Sequence, residues 1–238
     1  MDRKKRTRAD ELTRRQALAG AAATVGFGLG LVSTEAKERL AQLLPDAKAC
    51  ILAPEAVEGP FYFDPHLVRA DITEGKDGAP LELTLRIVAA STCAPLRNAR
   101  VDTWQCDGLG VYSGYSRQET GSTEGQTFLR GTQFTDGDGL VRFRTIYPGW
   151  YPGRTPHIHF KVFLDESTLV TGQLYFPDPL TDRIYSSQRP YRERQGERDT
   201  RNATDFIFAD GGADTLLDIR EEGNSYQGSL VVGVAGQG

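Results

Sequence analysis

Apolar and polar residues alternate along most of this chain with the two-residue period of strands that bury one face. In residues 81–88 the alternation sets Leu81, Leu83, Leu85 and Ile87 on one side, and in residues 140–146 it sets Val141 and Phe143 against Arg142 and Arg144. The same reading gives strands at 157–162, at 166–176 around Gln173, and at 226–234 as the closing strand. Thr135-Asp136-Gly137-Asp138-Gly139 is a hairpin signal. It looks superficially like a calcium loop, but the spaced ligands and closing glutamate are missing, so it is read as a turn. Residues 177–205 are dense in Asp, Arg, Ser and Pro with little periodicity, which predicts a long loop with one helical turn. Residues 37–44 suggest a short amphipathic helix or a linker, ended by Pro45. The predicted class is all-β: a mostly antiparallel two-sheet β-sandwich with long irregular loops and a short N-terminal helical segment.

Composition leaves that picture in place. The 238 residues are 39% hydrophobic and 25% charged, ordinary for a globular chain, and one domain over 50–238 is the simplest division. The formal charge of -4 is uneven, because Arg3, Lys4, Lys5, Arg6, Arg8, Arg14 and Arg15 crowd the first fifteen positions. The body is therefore more acidic than the total and carries no basic footprint for nucleic acid. The basic head leads through Arg14-Arg15 into an apolar run at 17–32 diluted by Gly20, Gly26, Gly28 and Gly30. This pattern predicts a twin-arginine export signal over 1–36, a linker or helix over 37–49, and a periplasmic or extracellular protein with no stable membrane anchor after cleavage. The run is short for a bilayer span. Of three cysteines, Cys50 and Cys93 sit at loop positions before strands and are the preferred pair in an oxidising compartment. Three unpaired cysteines remain the alternative, and Cys106 beside Trp104 reads as a buried thiol.

The chemistry concentrates in residues 146–160, Ile-Tyr-Pro-Gly-Trp-Tyr-Pro-Gly-Arg-Thr-Pro-His-Ile-His-Phe. His157 and His159 are two of only three histidines, and on a strand they share a face, so two imidazoles can converge on a metal. Two polar residues on the wet face of a sheet would give the same pattern. Pro148, Pro152 and Pro156 stiffen the approach, while Gly149 and Gly153 permit tight turns, so Tyr151 and Arg154 are held just before the histidine strand. Upstream, Val101-Asp102-Thr103-Trp104-Gln105 leads through Gly110 to another tyrosine, Tyr112.

These stretches, with Glu58-Gly59-Pro60-Phe61-Tyr62 and Gln173-Leu174-Tyr175-Phe176, resemble the intradiol ring-cleavage dioxygenases in order over about residues 50–176. The resemblance implies Fe(3+) held by Tyr112, Tyr151, His157 and His159, with Tyr151 released when substrate arrives and the iron between the sheets at one end. It also implies Arg154 facing the substrate ring, with Gln173 orienting it. Tyr147 matches a variable position and is expected to pack. Phenolate is a hard anionic donor suited to the ferric state, in agreement with that set. The implied reaction joins a small aromatic vicinal diol and O2, cleaving between the two hydroxylated carbons to a cis,cis-muconate-type diacid.

Which diol is taken is not fixed by these motifs. The pocket wall is expected from residues 58–64, with Tyr62 and Phe63, from 109–114, and from the loop after Phe176. The N-terminal region is too short for the helical segment that builds the dimer of intracellular catechol dioxygenases, so association into a homo-oligomer stays open. Two other readings stand beside this one: a non-catalytic sandwich that binds carbohydrate or protein, and an exported metal-binding or copper-oxidase-like protein.

Overall fold

The computed structural model describes residues 50–118, 121–165 and 167–235. The expected signal and the expected helix at 37–44 lie outside them. Eight strands form two four-stranded sheets: β1 (Pro80–Ala89), β2 (Arg100–Trp104), β3 (Arg130–Phe134), β4 (Leu140–Ile146), β5 (His157–Leu164), β6 (Ser167–Tyr175), β7 (Asp218–Glu222) and β8 (Ser225–Val234). The first sheet runs β4-β1-β8-β7 and the second β3-β2-β5-β6. All pairings are antiparallel except β1 with β8, so the predicted sandwich is the observed one.

The sheets meet through the residues their alternation predicts. Leu81, Leu83, Leu85 and Ile87 of β1, Val141 and Phe143 of β4, and Val232 and Val234 of β8 face Val101, Ile158, Phe160, Val162, Val170 and Leu174 of the second sheet. Because strand residues alternate in direction, burying Ile158 and Phe160 in this core turns His157 and His159 to the opposite face. The expected placement of the site between the sheets is thereby corrected. It lies on the outer face of the second sheet, where loops cover it.

Two other expectations change. Residues 135–139 do form a turn, with the Asp136 carboxylate accepting from Asp138 N and Leu140 N, but it joins β3 to β4 across the two sheets and is no hairpin. The segment 177–205 is more ordered than a long loop. It holds a ten-residue helix, α1 (Asp178–Ser187), and 3-10 turns at Tyr191–Glu193 and Asn202–Thr204. Only Leu180, Thr181 and Ile184 anchor α1, a signal too short to register as helical periodicity. Cys50 and Cys93 are disulfide-bonded and Cys106 is a buried free thiol. Among the described residues no helix is long and apolar enough to cross a membrane.

Candidate active site

Two loops carry the tyrosines onto the histidine face, and glycines let them touch. A Cβ at Gly149 would lie 2.6 Å from the carbonyl oxygens of Asp107 and Gly108. Gly110, at φ 87°, offers the left-handed backbone an L side chain rarely adopts, and a Cβ there would meet the Trp150 carbonyl oxygen at 2.2 Å. Asp107 folds the first loop by accepting from Leu109 N and Val111 N, both at 3.0 Å. The Tyr112 backbone is then pinned by the Gln118 amide, which accepts from Tyr112 N (2.8 Å) and donates to Tyr112 O (2.7 Å).

The predicted donor residues come together. His157 Nε2 lies 2.9 Å from the Tyr151 hydroxyl and 3.1 Å from His159 Nε2. His157 Nδ1 donates to the Thr155 carbonyl at 2.7 Å, which leaves Nε2 as the nitrogen with a lone pair. His159 is oriented differently: its ring stacks on Trp104, centroids 4.7 Å apart and planes within 8°, and its Nδ1 has no hydrogen-bond partner. Tyr112 is buried with its ring 5.8 Å from that of Tyr151, 6.3 Å from that of His159, and stacked on Phe61 at 4.3 Å. Its hydroxyl also lacks a hydrogen-bond partner.

Electrostatics fit a cluster of neutral donors. Burial pushes His157 down to about 3, and burial together with His157 takes His159 well below the usual range, so both rings are uncharged near neutrality. Burial raises Tyr151 to about 12, and burial with the Tyr151 phenol beside it holds Tyr112 well above the ordinary tyrosine range. Buried phenols that titrate this late, with one hydroxyl bonded to nothing, are groups whose charged form lacks a partner, and a hard metal cation is a partner that two phenolates and two imidazoles suit. The donor chemistry therefore fits the ferric ion that the family resemblance implies.

Arg154 is no surface charge. Its side chain is 11% exposed, its Nε donates to the fully buried carboxylate of Asp205 at 2.8 Å, and its Nη2 donates to Gln173 Oε1 at 2.5 Å. Gln173 is also fixed by Tyr175, which donates to the same oxygen, and by its own Nε2 on the Val57 carbonyl. Burial opposes charge on Asp205, but the Thr155 N–H, the Arg154 cation and the Phe208 N–H outweigh it and hold the carboxyl below its ordinary range. Asp205 was hidden in the expected loop, where no periodicity marks it. Gln118 and Trp104 were likewise unassigned, although Trp104 stands inside one of the motifs. Tyr147 is placed elsewhere, in the main core, bonded to the Thr181 hydroxyl and packed on Phe176, Tyr185, Tyr191 and Tyr226.

A cavity of about 590 Å³ opens beside the donors, lined by Phe61, Leu109, Gly110, Val111, Arg117, Gln118, Tyr151, Pro152 and Arg194. The three expected wall segments each contribute, but Tyr62 and Phe63 do not. Tyr62 packs on Trp104 and donates to Asp102, and Phe63 lies under the Arg130 guanidinium.

A family model described as Dioxygenase matches residues 57–206. The protocatechuate 3,4-dioxygenase beta chain of Burkholderia cepacia is 42% identical over 96 residues, 36% of this chain and 40% of that protein. Catechol 1,2-dioxygenase 1 of Acinetobacter lwoffii is 28% identical over 173 residues, 60% of this chain and 54% of that protein. The matches thus span about half or less of the length of these curated relatives. Among solved structures, an intradiol ring-cleavage dioxygenase from Tetranychus urticae superposes with a TM-score of 0.72 at 34% identity, covering 78% of this chain and 95% of that one. The dioxygenase domain of a dioxygenase carbohydrate-binding protein fusion from Streptomyces sp. SirexAA-E gives 0.58 at 30% identity, with 78% and 100% covered.

Proposed function

Because the chain belongs to the intradiol ring-cleavage dioxygenase family, we propose that it cleaves an aromatic vicinal diol between its hydroxylated carbons with O2, using one ferric ion held by Tyr112, Tyr151, His157 and His159. The observation that carries this reading is that His157 Nε2 lies within 3.1 Å of both the Tyr151 hydroxyl and His159 Nε2, beside a buried Tyr112 hydroxyl with no hydrogen-bond partner. A ferric ion bound there supplies Lewis acidity that favours the deprotonated diol.

The side chains divide the remaining work. Tyr151 is the one donor of the four that lines the cavity, so it meets an entering diol first, and as the phenolate that would hold the metal its oxygen could take a proton from the diol and leave as the neutral phenol. Arg154 acts electrostatically on all four donors, and its ion pair with Asp205 and its bond to Gln173 fix where the guanidinium points. A charge so fixed can stabilise negative charge that develops on the ring as oxygen approaches. Phe61, Leu109 and Val111 give the cavity an apolar wall for the ring. The product is a cis,cis-muconate-type diacid.

Iron content, the visible phenolate-to-iron band and O2 uptake with catechol, hydroxyquinol, protocatechuate and lignin-type diols test the reading together. With isotopic O2, label is expected in both new carboxyl groups. A yellow semialdehyde, from cleavage beside the diol, would overturn it. Family membership leaves no reason to read the sandwich as a binding module. We propose separately that the protein is exported, a reading supported by the paired Arg14-Arg15 in a basic head and by the Cys50–Cys93 disulfide, which suits an oxidising compartment. Replacing both arginines by lysine should then retain the chain in the cytoplasm.

A further inference from the structure

Arg130 opens β3 and is only 1% exposed, yet among the described residues no carboxylate meets its guanidinium. A buried cation without a carboxylate is costly to keep. All of its bonds go instead to neutral oxygens around one place. Nε donates to Ser113 Oγ at 2.8 Å, Nη2 to Ser113 O at 2.9 Å, and Nη1 to Phe61 O at 2.7 Å. Ser113 follows Tyr112 in the chain, and Phe61 is the residue stacked flat on the Tyr112 ring. The guanidinium carbon itself lies 6.0 Å from the centre of that ring and 4.2 Å from that of Phe63. Leu129, immediately before Arg130, is a buried leucine at φ 57°, a backbone strain that persists only where the surroundings impose it.

We propose that Arg130 is a positioning residue for the Tyr112 donor. One planar fork grips both the residue beside Tyr112 and the residue stacked on it, so the phenol oxygen is aimed before any metal arrives, and the fixed positive charge behind the ring favours its anionic form once bound. The inference deepens the ligand set proposed above and rests on it. It makes Arg130, some eighteen positions from Tyr112 in sequence and absent from the donor set, a determinant of metal affinity and of the ligand's electronic state.

Arg130→Lys keeps the charge and loses the fork; Arg130→Met loses both. Folding is first checked by circular dichroism and melting. In the metal-free Arg130→Lys protein, amide hydrogen exchange over residues 109–118 should quicken at least tenfold while β1 and β8 are unchanged, and ferric affinity, measured by competition with a chelator, should fall at least tenfold. In Arg130→Met the phenolate-to-iron band should also move to longer wavelength, because the phenolate electrons lose a stabilising charge; in Arg130→Lys it should move less. Ser113→Ala, which removes the Nε acceptor together with the Ser113 hydroxyl's own bond to the Phe128 carbonyl and leaves the other two Arg130 bonds in place, gives the exchange and affinity changes at smaller size should neither arginine variant fold. Exchange and affinity equal to the parent's in the variants that fold would overturn the proposal, as would loosening spread evenly over the domain. A parent protein that binds no iron would defeat the ferric reading instead, and local exchange alone would then decide whether Arg130 holds Tyr112.

Discussion

Arg154 shows how a single residue's stability and functional roles can be separated by measurement. Removing the guanidinium leaves Asp205 buried and charged with no cation, which costs on the order of 3 kcal/mol in comparable buried pairs. Arg154→Ala should therefore melt earlier and also lose on the order of a hundredfold or more in kcat. Adding Asp205→Asn should restore most of the melting temperature and none of the turnover; recovery of both would make Arg154 a structural residue. The two neighbouring tyrosines give a second contrast. Tyr151→Phe should abolish or shift the visible band, whereas Tyr147→Phe, which touches only core residues and the Thr181 hydroxyl, should leave it in place and lower stability by about 1 kcal/mol. The histidines set the acid limit of the metal-free protein. With His157 lowered to about 3, the unfolded chain takes up the proton first, so stability is full above the ordinary histidine range and is lost as pH falls toward 3, at up to about 1.4 kcal/mol per unit for this one group. Denaturant melts of metal-free protein between these limits check the sign. Parent and His157→Gln protein should converge as the pH falls.

At the scale of elements, the site depends on backbone contacts that side-chain patterns do not announce. The strands were legible because alternation is what burial on one face requires, as β1 shows. The helix α1 was not, since two apolar anchors four apart, Leu180 and Ile184, are too few to stand out among charges. The corner at 135–139 was misread as a hairpin for a related reason: Asp and Gly dictate that the chain turns, and only the registers of β2 on β3 and of β1 on β4 decide that the two strands part into different sheets. The contact between the two tyrosine loops is testable directly. Gly110→Ala would need both a left-handed alanine and displacement of the Trp150 carbonyl, and should cost about 1–3 kcal/mol. Since Gly110 lies two positions before Tyr112, the variant should lose iron at a lower chelator concentration than the parent. Loss of stability with unchanged iron binding would mean that the loop junction supports the fold without aiming the ligand.

For the whole molecule, the grouping of His157, His159 and Tyr151 was legible because strand alternation and the proline-stiffened approach already place them together, whereas Tyr112 joined the proposed donors only through the family resemblance. Their supports were not legible, because Asp205, Gln118 and Arg130 come from parts of the chain joined to the site only by folding. The disulfide is the one long-range tie that residue chemistry did suggest. It fastens the segment at Cys50 to Cys93, 43 residues on, and that segment adds to the edge of the fold through Ala53 N donating to Gly233 O at 2.7 Å. Closing a loop of that length removes chain entropy from the unfolded state worth about 4 kcal/mol. For a domain of this size that corresponds to roughly 8–16 °C in melting temperature. Cys93 is exposed and Cys106 buried, so a reductant should act on the bridge and leave the free thiol untouched. Cys93→Ser is accordingly expected to melt about that much lower than the parent under oxidising conditions and to be insensitive to dithiothreitol, while the parent falls to the variant's temperature when reduced. Iron affinity measured below either transition should be the same in both, because the bridge lies on the first sheet's side of the sandwich, at the β1 end that pairs with β8, and the donors lie on the outer face of the second. A parallel loss of iron would show that the segment from Cys50 to Glu58 transmits its tether to Phe61 and so to Tyr112.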